Sequence, residues 1–201
     1  MGASGMDQPC ASPHPRSMLA PPSPVPHRID VQIDPAYADR LTPGGSMDGI
    51  PTLLAGAIRH TLESRRPTAA PGGPEDEGVP RAVSLRLTDT RTVHRLNKRY
   101  LGHDEPTDVL SFDTDIPGLR DPHGVEELGT LIIALPVAAR GARSRHVALA
   151  DELCLLAVHG VLHLLGFDHE TPSEDAAMRR MERVALTRLG RPQAARRPTE
   201  T

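Results

Sequence analysis

The segment HGVLHLLGFDHE, residues 159–170, places three histidines close together in the chain. His159 and His163 are four residues apart, and His169 follows after a glycine at position 166. Residues four apart on an α-helix lie on one face, so the first two imidazoles can reach a single ion. Gly166 favours a left-handed helix end, which turns the chain and returns His169 toward the pair.

This histidine set predicts a metal site. Three neutral imidazoles suit Zn²⁺ and leave a fourth position for water, as in catalytic zinc centres. We therefore predict one zinc ion per chain, held by His159, His163 and His169, with a metal-bound water as the reactive group. Ni²⁺ and Cu²⁺ also bind imidazole and are the alternatives. A closed structural site would need a fourth protein ligand, and Cys154 suits poorly because it lies about 140° round the helix from His159.

The histidine pair also resembles the H-E-x-x-H helix of zinc proteases, in which the glutamate activates the water. Residue 160 is glycine here, so that mechanism lacks its local base. A bound metal can still lower the pKa of a water toward about 7 and polarise a phosphoryl oxygen. Asp168 and Glu170 flank His169, and Asp168 is the candidate to orient an imidazole by a hydrogen bond. The sequence identifies no general base.

The composition excludes several classes of protein. The chain has 201 residues and a formal net charge of -3, so it carries no overall basic signature for nucleic acid. It has no tryptophan, which weakens an argument for base stacking. Its two cysteines argue against a disulfide framework and favour a reducing compartment. No apolar run approaches the length of about 18 residues that predicts a transmembrane helix. We therefore expect a protein of a reducing compartment without a membrane partner.

Both ends of the chain have the composition of disordered tails. Residues 1–28 are rich in proline and lack the basic and apolar regions of a signal peptide. Residues 191–201 are similarly polar. The sequence therefore predicts one domain over residues 29–190.

Hydrophobic periodicity within this domain predicts an α+β fold. Strands are predicted at residues 29–33, 82–89, 107–112 and 128–135. Helices are predicted after a cap at Asp48, after Asp89 or Thr90, after Pro136, from near Asp151, and after a capping box formed by Thr171 and Glu174. The helix from Asp151 is apolar on most faces, so we expect it to be central in the fold.

Four segments together resemble the bacterial YbeY family of endoribonucleases and rRNA maturation factors. Residues 159–169 resemble its zinc-binding signature H-G-x-L-H-L-x-G-y-D-H. LNKRYLGHDEPTDVLSF, residues 96–112, resembles L-N-x-x-Y-R-x-x-D-x-P-T-D-V-L-S-F. Residues 127–138 resemble L-G-D-I-x-I-x-x-x-x-A, and residues 178–190 resemble the final M-x-x-x-E-x-x-x-L-x-x-L-G.

The resemblance implies more than the residues alone. It implies a single α+β domain with a small mixed β-sheet and a central zinc-binding helix beside a cleft, with His159, His163 and His169 as ligands. It also implies zinc-dependent cleavage of single-stranded RNA in the cytoplasm, in the maturation of the 3′ end of 16S rRNA and in ribosome quality control. The implied partners are rRNA and the small ribosomal subunit.

A group of basic residues gives independent support for RNA binding. Arg91, Arg95, Lys98 and Arg99 fall on one predicted helix, and RNA phosphates attract such a cluster whatever the base sequence. Arg95, Lys98 and Arg99 are the RNA-binding candidates. The alternative is an ordinary solvated helix face.

The chain departs from the family pattern at two positions. Leu101 replaces an arginine, and Thr130 replaces an aspartate. Because an arginine at position 101 could contact phosphate, its loss leaves open a metal-stabilised ribosome-assembly factor with weak cleavage. The helix-borne histidine pair leaves open a metal-dependent hydrolase of peptides, although Gly160 counts against it.

Overall fold

A four-stranded mixed sheet organises the computed structural model, which describes residues 26–38, 47, 49–64, 79–114, 116 and 118–195. The strands are β1 (Arg28–Ile33), β2 (Arg81–Thr88), β3 (Val109–Asp113) and β4 (Glu126–Ala134). Their order in the sheet is β1-β2-β4-β3. Strands β1, β2 and β4 run parallel to one another, and β3, at one edge of the sheet, is antiparallel to β4.

Helices are interspersed with the strands along the chain and complete the predicted α+β fold. They are α1 (Pro35–Ala38), α2 (Ile50–Leu62), α3 (Thr90–Leu96), α4 (Leu135–Ser144), α5 (Leu149–Leu164) and α6 (Pro172–Arg188). A π-helical turn, Asn97–Leu101, continues α3 directly, and a short 3₁₀ helix, Pro192–Ala195, follows α6. The short helix α1 is absent from the sequence prediction.

Two predicted helix starts have different outcomes. Asp89 caps α3 as one of the two predicted alternatives, because its Oδ1 accepts a hydrogen bond from the backbone N–H of Thr92 at 2.8 Å. The cap position of α2 is Gly49, in the left-handed region with φ of 82° and without a side-chain hydrogen bond. The predicted cap Asp48 lies outside the described residues.

Helix α5 occupies the centre of the fold, as its apolar faces predicted. It begins at Leu149, two positions before the predicted start, and its residues from 151 to 158 are all buried. It packs against α2, α4 and α6 and against strands β3 and β4. The fully buried side chains of Leu153 and Leu162 join the core that includes Leu131 and Ile133 of β4. The helix that carries His159 and His163 is therefore also the main core helix.

The C-terminal part of the chain packs further than predicted. Helix α6 begins with the predicted capping box of Thr171 and Glu174. Beyond Gly190, Ala194 is fully buried, and its carbonyl oxygen accepts a hydrogen bond from Nη2 of Arg145 at 2.9 Å. Packing thus continues past residue 190, into the range predicted as a disordered tail. Residues 1–25 and 196–201, the rest of the two predicted tails, lie outside the described residues.

A membrane span needs a helix that is both long and apolar. Within the described ranges, no helix alone is long and apolar enough to cross a membrane. Helices α4 and α5 reach the necessary length and apolar composition only as a pair, and the chain bends by 115° between them.

Candidate metal centre

Helix α5 and the turn after it bring the three predicted histidines together. His159 and His163 lie one turn apart near the C-terminal end of α5, and both are half-buried. Gly166 takes the predicted left-handed conformation, with φ of 82°, and exposed His169 follows it. The nitrogen atoms that the three imidazoles offer all lie within 4.8 Å of one another. These residues could hold a metal ion.

The spacing of the imidazole nitrogens fits a small tetrahedral ion. Nε2 of His159 and Nε2 of His163 are 3.2 Å apart. Two nitrogens bonded at about 2.0–2.1 Å to one tetrahedral Zn²⁺ are separated by roughly 3.3 Å. Among the described residues the cluster contains the three histidines and no fourth side chain, so a tetrahedral ion held there would keep one position for water or substrate.

The electrostatics of the cluster favour metal binding. Burial lowers the pKa of His163, and the neighbouring imidazoles of His159 and His169 lower it further. A lowered pKa keeps this imidazole neutral at neutral pH, which is the form that binds a metal. Cys154 is fully buried, and burial raises the pKa of its thiol to about 12. It therefore remains a protonated core residue.

Glu182 is a site residue that the sequence prediction missed. Its Oε1 lies 2.9 Å from Nδ1 of His159, and its side chain is 3% exposed. The sequence did contain a signal for it, because this glutamate falls on the apolar face of the last predicted helix. That face also carries Met178, Ala185 and Leu186, all of them buried. An acidic residue in such an apolar stripe indicates a specific partner, because burying an unpaired charge is costly.

Asp168, the predicted orienting carboxylate, has a different contact. It is exposed, and its Oδ1 accepts a hydrogen bond from the backbone N–H of His169 at 2.8 Å. The contact holds the backbone of the turn. The carboxylate that contacts an imidazole is instead Glu182 of α6, beside His159. Spacing along the sequence could not predict that α6 packs next to α5.

The packing around Gly160 leaves little room for the glutamate that zinc proteases have at this position. A Cβ atom at this position would lie 2.8 Å from Cδ2 of Leu131 and 3.3 Å from Oγ of Ser111. Because Leu131 is fully buried, it has little room to move aside. Ser111 Oγ also donates a long hydrogen bond, 3.4 Å, to the Gly160 carbonyl. The close packing of α5 on the sheet therefore disfavours a longer side chain at position 160.

The predicted RNA-binding residues are exposed but do not share one helix. Arg91 and Arg95 belong to α3, whereas Lys98 and Arg99 belong to the π-helical turn that follows it. The change of helix type rotates the second pair relative to the first. The four cations remain close in the chain, but a change of helix type divides the one helix that the sequence predicted.

Lys98 is less available than its sequence context suggests. Its Nζ forms an ion pair with Asp104, whose other carboxylate oxygen lies 2.9 Å from Nε2 of His94. The hydrogen bond from Lys98, and then that from His94, lowers the pKa of the Asp104 carboxyl. Asp104 therefore stays ionised and offsets part of the positive charge of this surface.

The two departures from the family pattern lie in different environments. Leu101 ends the π-helical turn and is 49% exposed, beside Tyr100, which is 59% exposed. The Tyr100 ring contacts Phe112 of β3 edge to face, and the Arg99 guanidinium lies 5.4 Å from its centre. Thr130 lies within β4, inside the sheet.

Comparisons with known proteins agree with this geometry. Residues 60–190 match the family model described as Endoribonuclease YbeY. The chain is 40% identical over 166 residues to Endoribonuclease YbeY of Roseiflexus castenholzii, a match that covers 81% of this chain and 92% of that protein. It is 47% identical over 112 residues to Endoribonuclease YbeY of Alkalilimnicola ehrlichii, covering 55% of this chain and 66% of that protein.

A third relative extends the match along the chain. Endoribonuclease YbeY of Rhodospirillum rubrum is 35% identical over 176 residues, which cover 84% of this chain and 88% of that protein. With the histidine cluster on its central helix and matches of this extent, the chain belongs to the endoribonuclease YbeY family, a family of RNA-cleaving hydrolases.

Proposed function

We propose that this chain is a zinc-dependent endoribonuclease that cuts single-stranded RNA in the maturation of the 3′ end of 16S rRNA and in ribosome quality control. We also propose that it acts in the cytoplasm with the small ribosomal subunit as its partner. The observation that carries the proposal is the cluster of three imidazole nitrogens within 4.8 Å, in a chain of an endoribonuclease family.

The roles of the residues follow from their positions. His159, His163 and His169 would hold the ion. Bound zinc lowers the pKa of a water and polarises a phosphoryl oxygen, the two needs of phosphodiester hydrolysis. Exposed Arg95 and Arg99 provide cations for the RNA backbone, and phosphate contacts of this kind do not depend on the base sequence.

The test joins metal analysis to RNA cleavage. Purified protein is expected to contain about one zinc ion per chain and to cut a labelled single-stranded RNA, with loss of both after chelation. His163→Ala is expected to lose the metal, the cleavage and part of the stability, because the ion ties α5 to the following turn. Full cleavage by a carefully demetallated protein, or by His163→Ala, contradicts the proposal.

A second candidate is a ribosome-assembly factor in which the metal stabilises the fold and cleavage is weak. Leu101 favours it, because an exposed leucine replaces an arginine suited to contact phosphate. Co-sedimentation with small ribosomal subunits, measured beside RNA cleavage, separates the two candidates. Stable binding to the subunit with no cleavage of any single-stranded RNA supports the assembly factor.

A further inference from the structure

The carboxylate of Glu182 reaches the metal centre from outside the segment that carries the ligands. It belongs to α6, and its Oε1 lies 2.9 Å from Nδ1 of His159. Both side chains are shielded from water, with 3% of the Glu182 side chain and 16% of the His159 side chain exposed. A charge-assisted hydrogen bond in such surroundings is strong and fixes geometry.

This contact determines which nitrogen of His159 is free to bind a metal. An ionised carboxylate can only accept hydrogen bonds, so Nδ1 of the neutral imidazole carries the proton. The lone pair is then on Nε2. Nε2 is the atom that lies 3.2 Å from Nε2 of His163. The contact with Glu182 therefore directs the lone pair of His159 into the histidine cluster.

Burying the carboxylate of Glu182 costs folding free energy, which its hydrogen bond with His159 offsets. On α6 it lies among the buried residues Met178, Ala185 and Leu186, where an apolar side chain would ordinarily stabilise the packing. The other acidic groups of the metal-binding turn differ, because Asp168 bonds a backbone N–H and Glu170 is exposed.

We propose that Glu182 is a positioning residue for metal binding, which holds His159 in the Nδ1–H tautomer with Nε2 directed at the ion. The inference rests on the proposed metal site and adds to it an orienting partner contributed by α6. Carboxylates that orient metal-binding histidines in this way typically strengthen metal affinity by about 10- to 100-fold.

Two variants of Glu182 test the proposal against a merely structural role. Glu182→Met removes the acceptor but suits the apolar stripe, so it is expected to weaken Zn²⁺ binding by about 10- to 100-fold while the metal-free protein stays folded. Glu182→Gln keeps the size and removes the charge, and is expected to weaken binding by about tenfold. Affinity is measured by competition with a chelator of known strength, and folding by circular dichroism.

A matched control separates orientation from simple loss of charge. Glu170→Gln removes one negative charge next to His169 without removing a hydrogen bond to any imidazole, as far as the described residues show. It is expected to bind Zn²⁺ within about threefold of the original chain. An equal loss in Glu170→Gln and Glu182→Gln would assign the effect to charge alone and overturn the proposal.

A spectroscopic measurement tests the tautomer without any metal. In the ¹⁵N-labelled metal-free protein, nitrogen chemical shifts of His159 are expected to show protonated Nδ1, and Glu182→Met is expected to give a mixture of tautomers. Protonated Nε2 in the original chain, or a change in Zn²⁺ affinity below about threefold in every folded Glu182 variant, overturns the inference. If the original chain binds no Zn²⁺, the proposed function fails instead, and the nitrogen shifts still decide the role of Glu182.

Discussion

Leu101 is the residue at which this chain departs most clearly from the pattern it resembles. It is 49% exposed at the end of the π-helical turn, so a longer side chain can be accommodated without disturbing the core. Arg99, two positions earlier, lies over the Tyr100 ring. The exposed position therefore has room for the forked donor set that an arginine presents to phosphate.

We predict that Leu101→Arg raises the rate of RNA cleavage by about tenfold or more. That gain corresponds to about 1.4 kcal/mol of added stabilisation in the transition state. The measurement is single-turnover cleavage of one labelled RNA, with zinc content determined in parallel and expected to stay the same. Leu119→Arg, which adds the same charge at a leucine 47% exposed, is the control. Equal rates in the Leu101→Arg variant and the original chain would refute the prediction.

Gly160 is the second decisive residue, because it sets the distance between α5 and the sheet. Gly160→Ala is expected to destabilise the protein by about 1 kcal/mol, as overpacking against Leu131 outweighs the better helix propensity of alanine. Gly160→Glu, which recreates the protease pattern, is expected to cost about 3 kcal/mol or more and to give no peptidase activity. Urea unfolding of the metal-free proteins measures both losses.

A double variant checks the cause of this loss. If the new Cβ meets Leu131, combining Gly160→Ala with Leu131→Ala must cost less than the sum of the two single changes. Strictly additive losses would show that the steric contact is not the reason.

At the scale of elements, α3 and the π-helical turn present a basic surface that one carboxylate partly neutralises. Asp104 pairs with Lys98 and contacts His94, and all three are at least partly exposed. We predict that Asp104→Asn tightens binding to single-stranded RNA at low salt and steepens its salt dependence by about one phosphate contact. Filter binding over a series of salt concentrations measures both quantities.

Asp30→Asn is the matched control for this surface. Asp30 is an exposed aspartate of β1, at the opposite edge of the sheet from β3, and its carboxylate accepts a hydrogen bond from Gln32. It is expected to leave the salt slope unchanged. The same change in affinity in both variants would indicate a general effect of net charge and place the RNA elsewhere.

At the scale of the whole molecule, the segment after α6 fastens the start of the central helix. Arg191 and Gln193 both donate hydrogen bonds to the buried carboxylate of Asp151 in the first turn of α5. Arg145 contacts the carbonyl of Ala194 and also forms an ion pair with buried Glu152. The beginning of the helix that carries His159 and His163 is thus held from two directions.

We predict that a chain ending at Gly190 is less stable than one ending at Ala195. Removing the segment leaves the Asp151 carboxylate without its Arg191 and Gln193 partners, which costs roughly 3 kcal/mol. For a domain of this size the melting temperature is expected to fall by roughly 6–12 °C. Thermal unfolding of both chains provides the test, with the full chain as reference. Equal melting temperatures would show that the segment does not contribute to stability.

The sequence by itself determined the features that depend on neighbours along the chain. Helical spacing placed His159 and His163 on one face, and the glycine at position 166 predicted the turn before His169. Period-two alternation located β1 and β2, an apolar run located β4, and the capping box marked the start of α6. These features follow from local backbone geometry, so a single sequence is sufficient to predict them.

Only the tertiary structure decided which distant residues complete the site. It placed Glu182 of α6 against His159 and left Asp168 bonded to the backbone of its own turn. It also packed Gly160 against Leu131 of β4, which gave the glycine its steric reason. Such contacts join positions far apart in the chain, and residue spacing carries no information about their distance. Their geometry is set by how the helices and the sheet pack around the shared core.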